Sequence, residues 1–136
     1  MQHYIGVKII QAEPEERDGK PGYKVAYPDG YTSWSPADVF EAAYLPLENP
    51  TKISQLEVDN FLGQVKSEQI SPKTTMVKAT TLTGFEQIEV SSCVDPANYD
   101  HALGTQIATE RIKDTLWKCL GFVLQWGRFG LKGNSE

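Results

Sequence analysis

Leu103, Ile107, Ile112, Leu116 and Leu120 recur every four or five positions, and that spacing constrains this chain more than any other feature. On a helix with about 3.6 residues per turn, such positions form one apolar stripe. The spacing predicts a helix over about residues 99–119, ended at Gly121, whose missing side chain suits a helix C-terminus. A one-sided helix must cover its stripe with another layer. The stretch before it, "TTMVKATTLTGFEQIEVSSCV", is rich in threonine and valine and is broken at Thr83-Gly84. That composition predicts a hairpin with strands near 74–82 and 85–93. Further upstream, Leu56, Phe61, Leu62 and Val65 predict a helix over about 53–66, with Gly63 as its weak point.

The first third reads differently. "YIGVKII" is a short apolar strand candidate, and the charged "QAEPEERDGKPG" reads as an exposed loop. "YKVAYPDGYTSW" reads as a hairpin about a Pro-Asp-Gly turn. A short helix then begins in "SPADVFEAAY", with Ser35 as N-cap, Pro36 in the first turn and Asp38 at the positive helix end. "PLENPTK", with Pro46 and Pro50, is the expected joint. The reading is an α+β chain: a small strand-hairpin-helix module over 1–48, an α-β-β-α domain over 49–126 and a flexible tail over 127–136. Trp34 is expected to pack the first module and Trp117 a core or subunit interface, while Trp126 has no assigned place.

Composition excludes several classes. Hydrophobic residues at 40% and charged residues at 23% allow a packed core. No apolar run approaches the roughly 20 residues that span a bilayer, and "MQHYIGVKII" lacks the pattern of a signal peptide. Two cysteines, Cys93 and Cys119, make no disulfide scaffold, so the expectation is a cytoplasmic protein with reduced thiols and no membrane partner. The net charge is −5, of which residues 1–50 carry −4 from four basic and eight acidic side chains. An acidic chain is a poor fit to duplex nucleic acid, whose affinity rests on phosphate neutralisation, although a few local cations suffice for a small anion.

The chemistry-bearing stretch is "SSCVDPANYD", residues 91–100. Cys93, Cys119, His3 and His101 lack the CxxC or HxxxH spacing of a zinc site, so no metal is expected. A Cys93–His101 thiolate pair oriented by Asp95 or Asp100 is conceivable, but a thiol at a strand end and a histidine in a first helical turn have ordinary structural roles. No GxSxG, P-loop, GxGxxG or HExxH is present, and the reading is a non-enzyme without a cofactor. The structural account of the stretch is a strand-to-helix corner. Asp95 acts as cap or turn acceptor, Pro96 fixes the first turn, and Asn98 and Asp100 are further cap-type residues. The functional account adds a ligand. Amide groups at a helix start receive phosphate, Asn98 reads a base or ribose edge, and Tyr99 or Phe85 stacks on a ring. Arg111 and Lys113 lie about 20 Å along the same helix and would serve a ligand held by a neighbouring subunit.

The stretch "GFEQIEVSSCVDPANYDHALGTQIATERIKDTLWKCLGFVLQ", residues 84–125, resembles a family of small phage and prophage proteins. The features shared are "GF" at the turn, "CVDPANYD", Gly104, and the tryptophan followed by "LGFVLQ"; with "TTMVKATTLT" the resemblance covers roughly 53–125. "YPDGYTSWSPADVFEAAY" is similar to a short module that precedes several phage proteins. The family includes the first type of Thoeris anti-defence protein. The resemblance implies a sponge that binds and holds cyclic nucleotide immune signals without cleaving them. Those signals are glycocyclic ADP-ribose of Thoeris and cyclic trinucleotides of CBASS. It also implies a homo-oligomer, dimers joined into a hexamer, with pockets between subunits, and it carries over Phe85, Asp95, Asn98, Tyr99 and Gly104. Many relatives place a lysine or arginine two residues before the tryptophan, where this chain has Thr115. The competing expectation from the residues is a phage interaction protein that inhibits a host protein through its acidic N-terminal module. An enzyme that degrades the same signals is a third, distinguished by loss of captured ligand on incubation.

Overall fold

The structure is a computed structural model and describes residues 1–133. It is an α+β chain with two three-stranded antiparallel sheets and a long C-terminal helix. Two compact units result: Met1–Lys52 together with the chain from Phe122 onward, and Ile53–Gly121.

The second unit holds the main core. Strands β4 (Leu62–Gln69), β5 (Thr74–Thr81) and β6 (Glu86–Ser92) form a meander with β5 in the centre. Along β5 every second residue is buried, namely Thr75, Val77, Ala79 and Thr81. That strict alternation is the signature of a strand with one face covered. The cover is the helix α3 (His101–Phe129), whose buried residues in this unit are Gly104, Ala108, Ile112, Leu116 and Leu120. Val58 from the short helix α2 (Gln55–Phe61) completes the cluster, with Ile53, Phe61, Leu62 and Trp117 packed against it. Each fully buried aliphatic side chain of this kind contributes about 1.5–3 kcal/mol by leaving water.

Several expectations change here. The hairpin at 74–92 forms as expected, turning through Gly84 at φ +86°. The helix predicted over 53–66 stops at Phe61, and Leu62–Gln69 is strand β4. Its start is a true cap: the Ser54 side chain accepts from the Glu57 amide while Glu57 accepts from the Ser54 amide. At Gly63 the chain runs against β5 so closely that an added Cβ would lie 2.5 Å from the Thr80 carbonyl oxygen. Leu62 and Gln64 bracket a shift in register there, a bulge that turns helix into strand. The final helix continues through Gly121 to Phe129, so that glycine does not end it and residues 127–129 are helix, not tail. Residues 134–136 of the expected tail lie outside the described residues. The buried stripe also differs. Leu103 and Ile107 are exposed, at 53% and 36%, and Gly104 and Ala108 take the inner face. Cys119, expected on the apolar side, is exposed, and Cys93 lies half-buried just beyond β6.

The first unit is a smaller sheet of β1 (Gln11–Pro14), β2 (Gly22–Ala26) and β3 (Thr32–Pro36), followed by α1 (Ala37–Ala43). The expected hairpin is β2–β3. The expected strand at 4–10 is instead irregular, and the edge strand β1 falls in the stretch read as a loop. Val7 and Ile9 still pack, lying where a Cβ on Gly127 would meet them at 3.2 and 3.3 Å. Ser35 does not cap α1; it sits in β3 opposite Tyr23, and Pro36 precedes the helix without a side-chain cap. Trp34 packs this module as expected. Its ring lies on Gly22, its Nε1 donates to the Glu15 carbonyl at 2.7 Å, and Arg17 stands over it at 5.5 Å.

Candidate functional site

The corner between β6 and α3 is built by its own polar groups. Asp95 accepts the Ala97 amide at 2.9 Å, and Pro96–Asn98 is a single 3-10 turn. Asp100 accepts the Leu103 amide at 3.1 Å and starts α3. Cys93 donates its Sγ–H to the Asp95 carbonyl at 3.3 Å. It makes no contact with His101, whose partners are Ser67 and Tyr99. The proposed thiolate pair therefore has no geometry.

Tyr99 turns inward. Its hydroxyl lies 2.6 Å from Thr75 Oγ1 and 3.0 Å from His101 Nδ1, and His101 Nε2 lies 3.0 Å from Ser67 Oγ. This series ties β5, the corner and the edge strand β4 together. Sequence spacing gave no hint of it, since Ser67 and His101 stand 34 residues apart. Gly104 has a matching structural task. A Cβ there would lie 2.5 Å from Thr75 Oγ1, so only glycine lets α3 settle onto the sheet at that point.

Asn98 is left. It is exposed, and its side chain makes no hydrogen bond among the described residues. In a corner whose other polar side chains are engaged, it is the one free to meet a ligand.

The remaining residues are placed elsewhere. Phe85 is 67% exposed in the β5–β6 turn, at the opposite end of β6 from the corner. Seven strand residues lie between, a span of about 23 Å. One copy therefore does not bring Phe85 to Asn98. Arg111 donates from Nη1 to the Val90 carbonyl of β6 at 2.7 Å. Lys113 is held by Asp59 at 3.0 Å and more loosely by Glu110 at 3.9 Å. Asp59 answers with a carboxyl held below the ordinary aspartate range, first by the Gln55 amide and then by Lys113.

Among the described residues no group of three or more His, Cys, Asp or Glu side chains is placed to hold a metal ion, and no helix is long and apolar enough to cross a membrane. The first unit has an open depression of about 430 Å³ lined by Lys8, Tyr27, Pro28, Asp29 and Tyr31, none of them an expected ligand residue.

Set beside known proteins, residues 41–127 match a family described as the phage protein (N4 Gp49/phage Sf6 gene 66) family. No curated protein and no solved structure matches the chain.

Proposed function

Since the chain belongs to the phage protein (N4 Gp49/phage Sf6 gene 66) family, we propose that it is an anti-defence sponge. It binds cyclic nucleotide immune signals in the cytoplasm of the infected bacterium and holds them without cleaving them. The observation that carries the reading is Asn98, an exposed amide without a side-chain partner in a corner otherwise fixed by its own hydrogen bonds. The backbone of Asn98 is held by the Asp95 carbonyl, so binding would cost little beyond the rotation of one short side chain. Phe85 and Asn98 lie at opposite ends of one sheet, so a single ligand meets both only if two copies contribute. This is the homo-oligomer of the proposal. Arg111 is exposed, and among the described residues its side chain hydrogen-bonds to a backbone carbonyl and to no carboxylate, so it is the better phosphate partner across such a boundary. Lys113 ranks behind it because Asp59 already offsets its charge.

The test is thermal unfolding against cyclic ADP-ribose isomers, cyclic dinucleotides and cyclic trinucleotides, with linear AMP and ADP-ribose as controls. A ligand of the native state raises the melting temperature by linkage. The expected result is a rise with one cyclic class and intact ligand after boiling. Asn98→Ala should then weaken that ligand by about tenfold, the worth of one good hydrogen bond to a charged or polar ligand group, with unchanged melting of the free protein. No rise with any cyclic class removes the reading.

A second reading has one observation in its favour. Tyr31, 64% exposed, and the depression beside it lie in the acidic first unit, which suits inhibition of a host protein. Tyr31→Ala separates the two, since it leaves nucleotide affinity intact and would abolish such inhibition.

A further inference from the structure

The two edges of the second sheet are not equivalent. In an antiparallel pair, residues alternate between those that bond to the neighbouring strand and those whose N–H and C=O point away. The Ile70 amide bonds to the Thr74 carbonyl, and the register pairs Glu68 with Met76 and Lys66 with Lys78. Alternation then aims the backbone groups of Val65, Ser67 and Gln69 outward from β4. The same count across β5 and β6, starting from the Thr81 amide on the Phe85 carbonyl, aims those of Ile88 and Val90 outward from β6. Arg111 blocks that second edge, because its guanidinium occupies the Val90 carbonyl. The β4 edge has no such guard: all its residues after Leu62 are exposed, and no described backbone group bonds to Val65, Ser67 or Gln69 from outside.

The side chains of β4 are complementary to themselves. Lys66 and Glu68 share the sheet face turned away from α3, two residues apart. Neither makes an ion pair among the described residues. Lys66 lies opposite Lys78, whose ammonium is taken by Glu86 at 2.6 Å, and Glu68 lies opposite Met76.

We propose that two copies of this chain pair along β4, antiparallel, about a two-fold axis through Ser67. In that register Ser67 meets Ser67, and Val65 meets Gln69 of the second copy. Every outward N–H and C=O then finds a partner. Lys66 meets Glu68 of the second copy, and Glu68 meets its Lys66, in the non-hydrogen-bonded positions where side chains approach most closely. Charge selects this register. An axis through Lys66 sets two lysines together, and one through Glu68 sets two glutamates together, both destabilising. The result is a continuous six-stranded sheet, and an isologous contact that closes on itself. The inference stands on the sheet edge alone and does not depend on nucleotide binding.

The experiment is sedimentation equilibrium of the full chain without nucleotide, as wild type, Lys66→Glu, Glu68→Lys and the double exchange. Each single reversal puts like charges opposite one another twice, by symmetry, and should weaken the dimer about tenfold or more. The double exchange should restore it. Hydrogen exchange on the wild type should slow at the Val65, Ser67 and Gln69 amides as concentration rises. A monomeric wild type overturns the proposal and leaves Lys66 as a guard of the edge. So does a dimer indifferent to both reversals, a double exchange as weak as the singles, or a dimer in which those amides stay unprotected.

Discussion

The two sheets are of equal strand number but are stabilised differently. The sheet of β4–β6 rests on a dry cluster: Val58, Val77, Ala79, Ala108, Ile112 and Leu116 are all at most 1% exposed. In the sheet of β1–β3 the only buried hydrophobic side chain is Val25. Around it, aromatic rings pack in series, with Tyr23 on Phe40 at 4.2 Å, Phe40 on Tyr44 at 4.8 Å, and Trp34 over Gly22. This small sheet relies on half-buried rings, which bury large areas, and its tyrosines and tryptophan keep a polar atom in reach of a partner. The comparison teaches where a mutation is felt: volume governs the second unit, and ring contacts govern the first.

The largest effect should come from Ile112→Ala. It opens a cavity in the dry cluster and should cost about 2–5 kcal/mol in urea unfolding; a loss below about 1 kcal/mol would show that the cluster is not the main core. Next is Gly104→Ala. Elsewhere in a helix this change gains up to about 1 kcal/mol, but here the new Cβ meets Thr75, and overpacking should cost about 1–3 kcal/mol. Gly121→Ala is the control, because nothing lies within 4 Å of a Cβ there and the same helix should gain stability. Trp34→Phe tests the first unit. It removes the bond to the Glu15 carbonyl together with the indole atoms that lie on Gly22, for a loss of at least about 1 kcal/mol. A loss as large as that of Ile112→Ala would erase the contrast between the sheets.

The smallest effect is on acid. Asp59 has a depressed pKa, so the unfolded chain binds its proton more readily than the folded one. Its contribution is present above the ordinary aspartate value and is lost as pH falls through the lowered one. Asp59→Asn should remove that portion of the acid-side loss, measured as the difference in urea midpoint between neutral and acid pH; an unchanged difference would mean that neither the Gln55 nor the Lys113 contact holds the carboxylate in solution.

The candidate site was legible only in part. The cap chemistry of Asp95, Pro96 and Asp100 was readable because those groups bond within three residues, and local geometry needs nothing else. The roles of Tyr99 and Gly104 were not, because both are set by Thr75, a strand residue more than twenty positions away. Arg111 and Lys113 were recognised as cations, yet their contacts with Val90 and Asp59 depend on which side of α3 each falls.

What the residues determined alone is the α+β plan, the hairpin about Gly84 and the corner that launches α3, each specified by turn chemistry or period over a few residues. Two matters were decided by the tertiary structure. "QVKSEQ" became a strand because β5, buried in the centre, must pair its backbone on both sides, and that need outweighs a weak helical pattern. The buried face of α3 became Gly104 and Ala108 in place of Leu103 and Ile107 because small residues let the helix approach Thr75 closely. Hydrophobicity names the residues that prefer to leave water, but the distance between packed layers decides which of them fit.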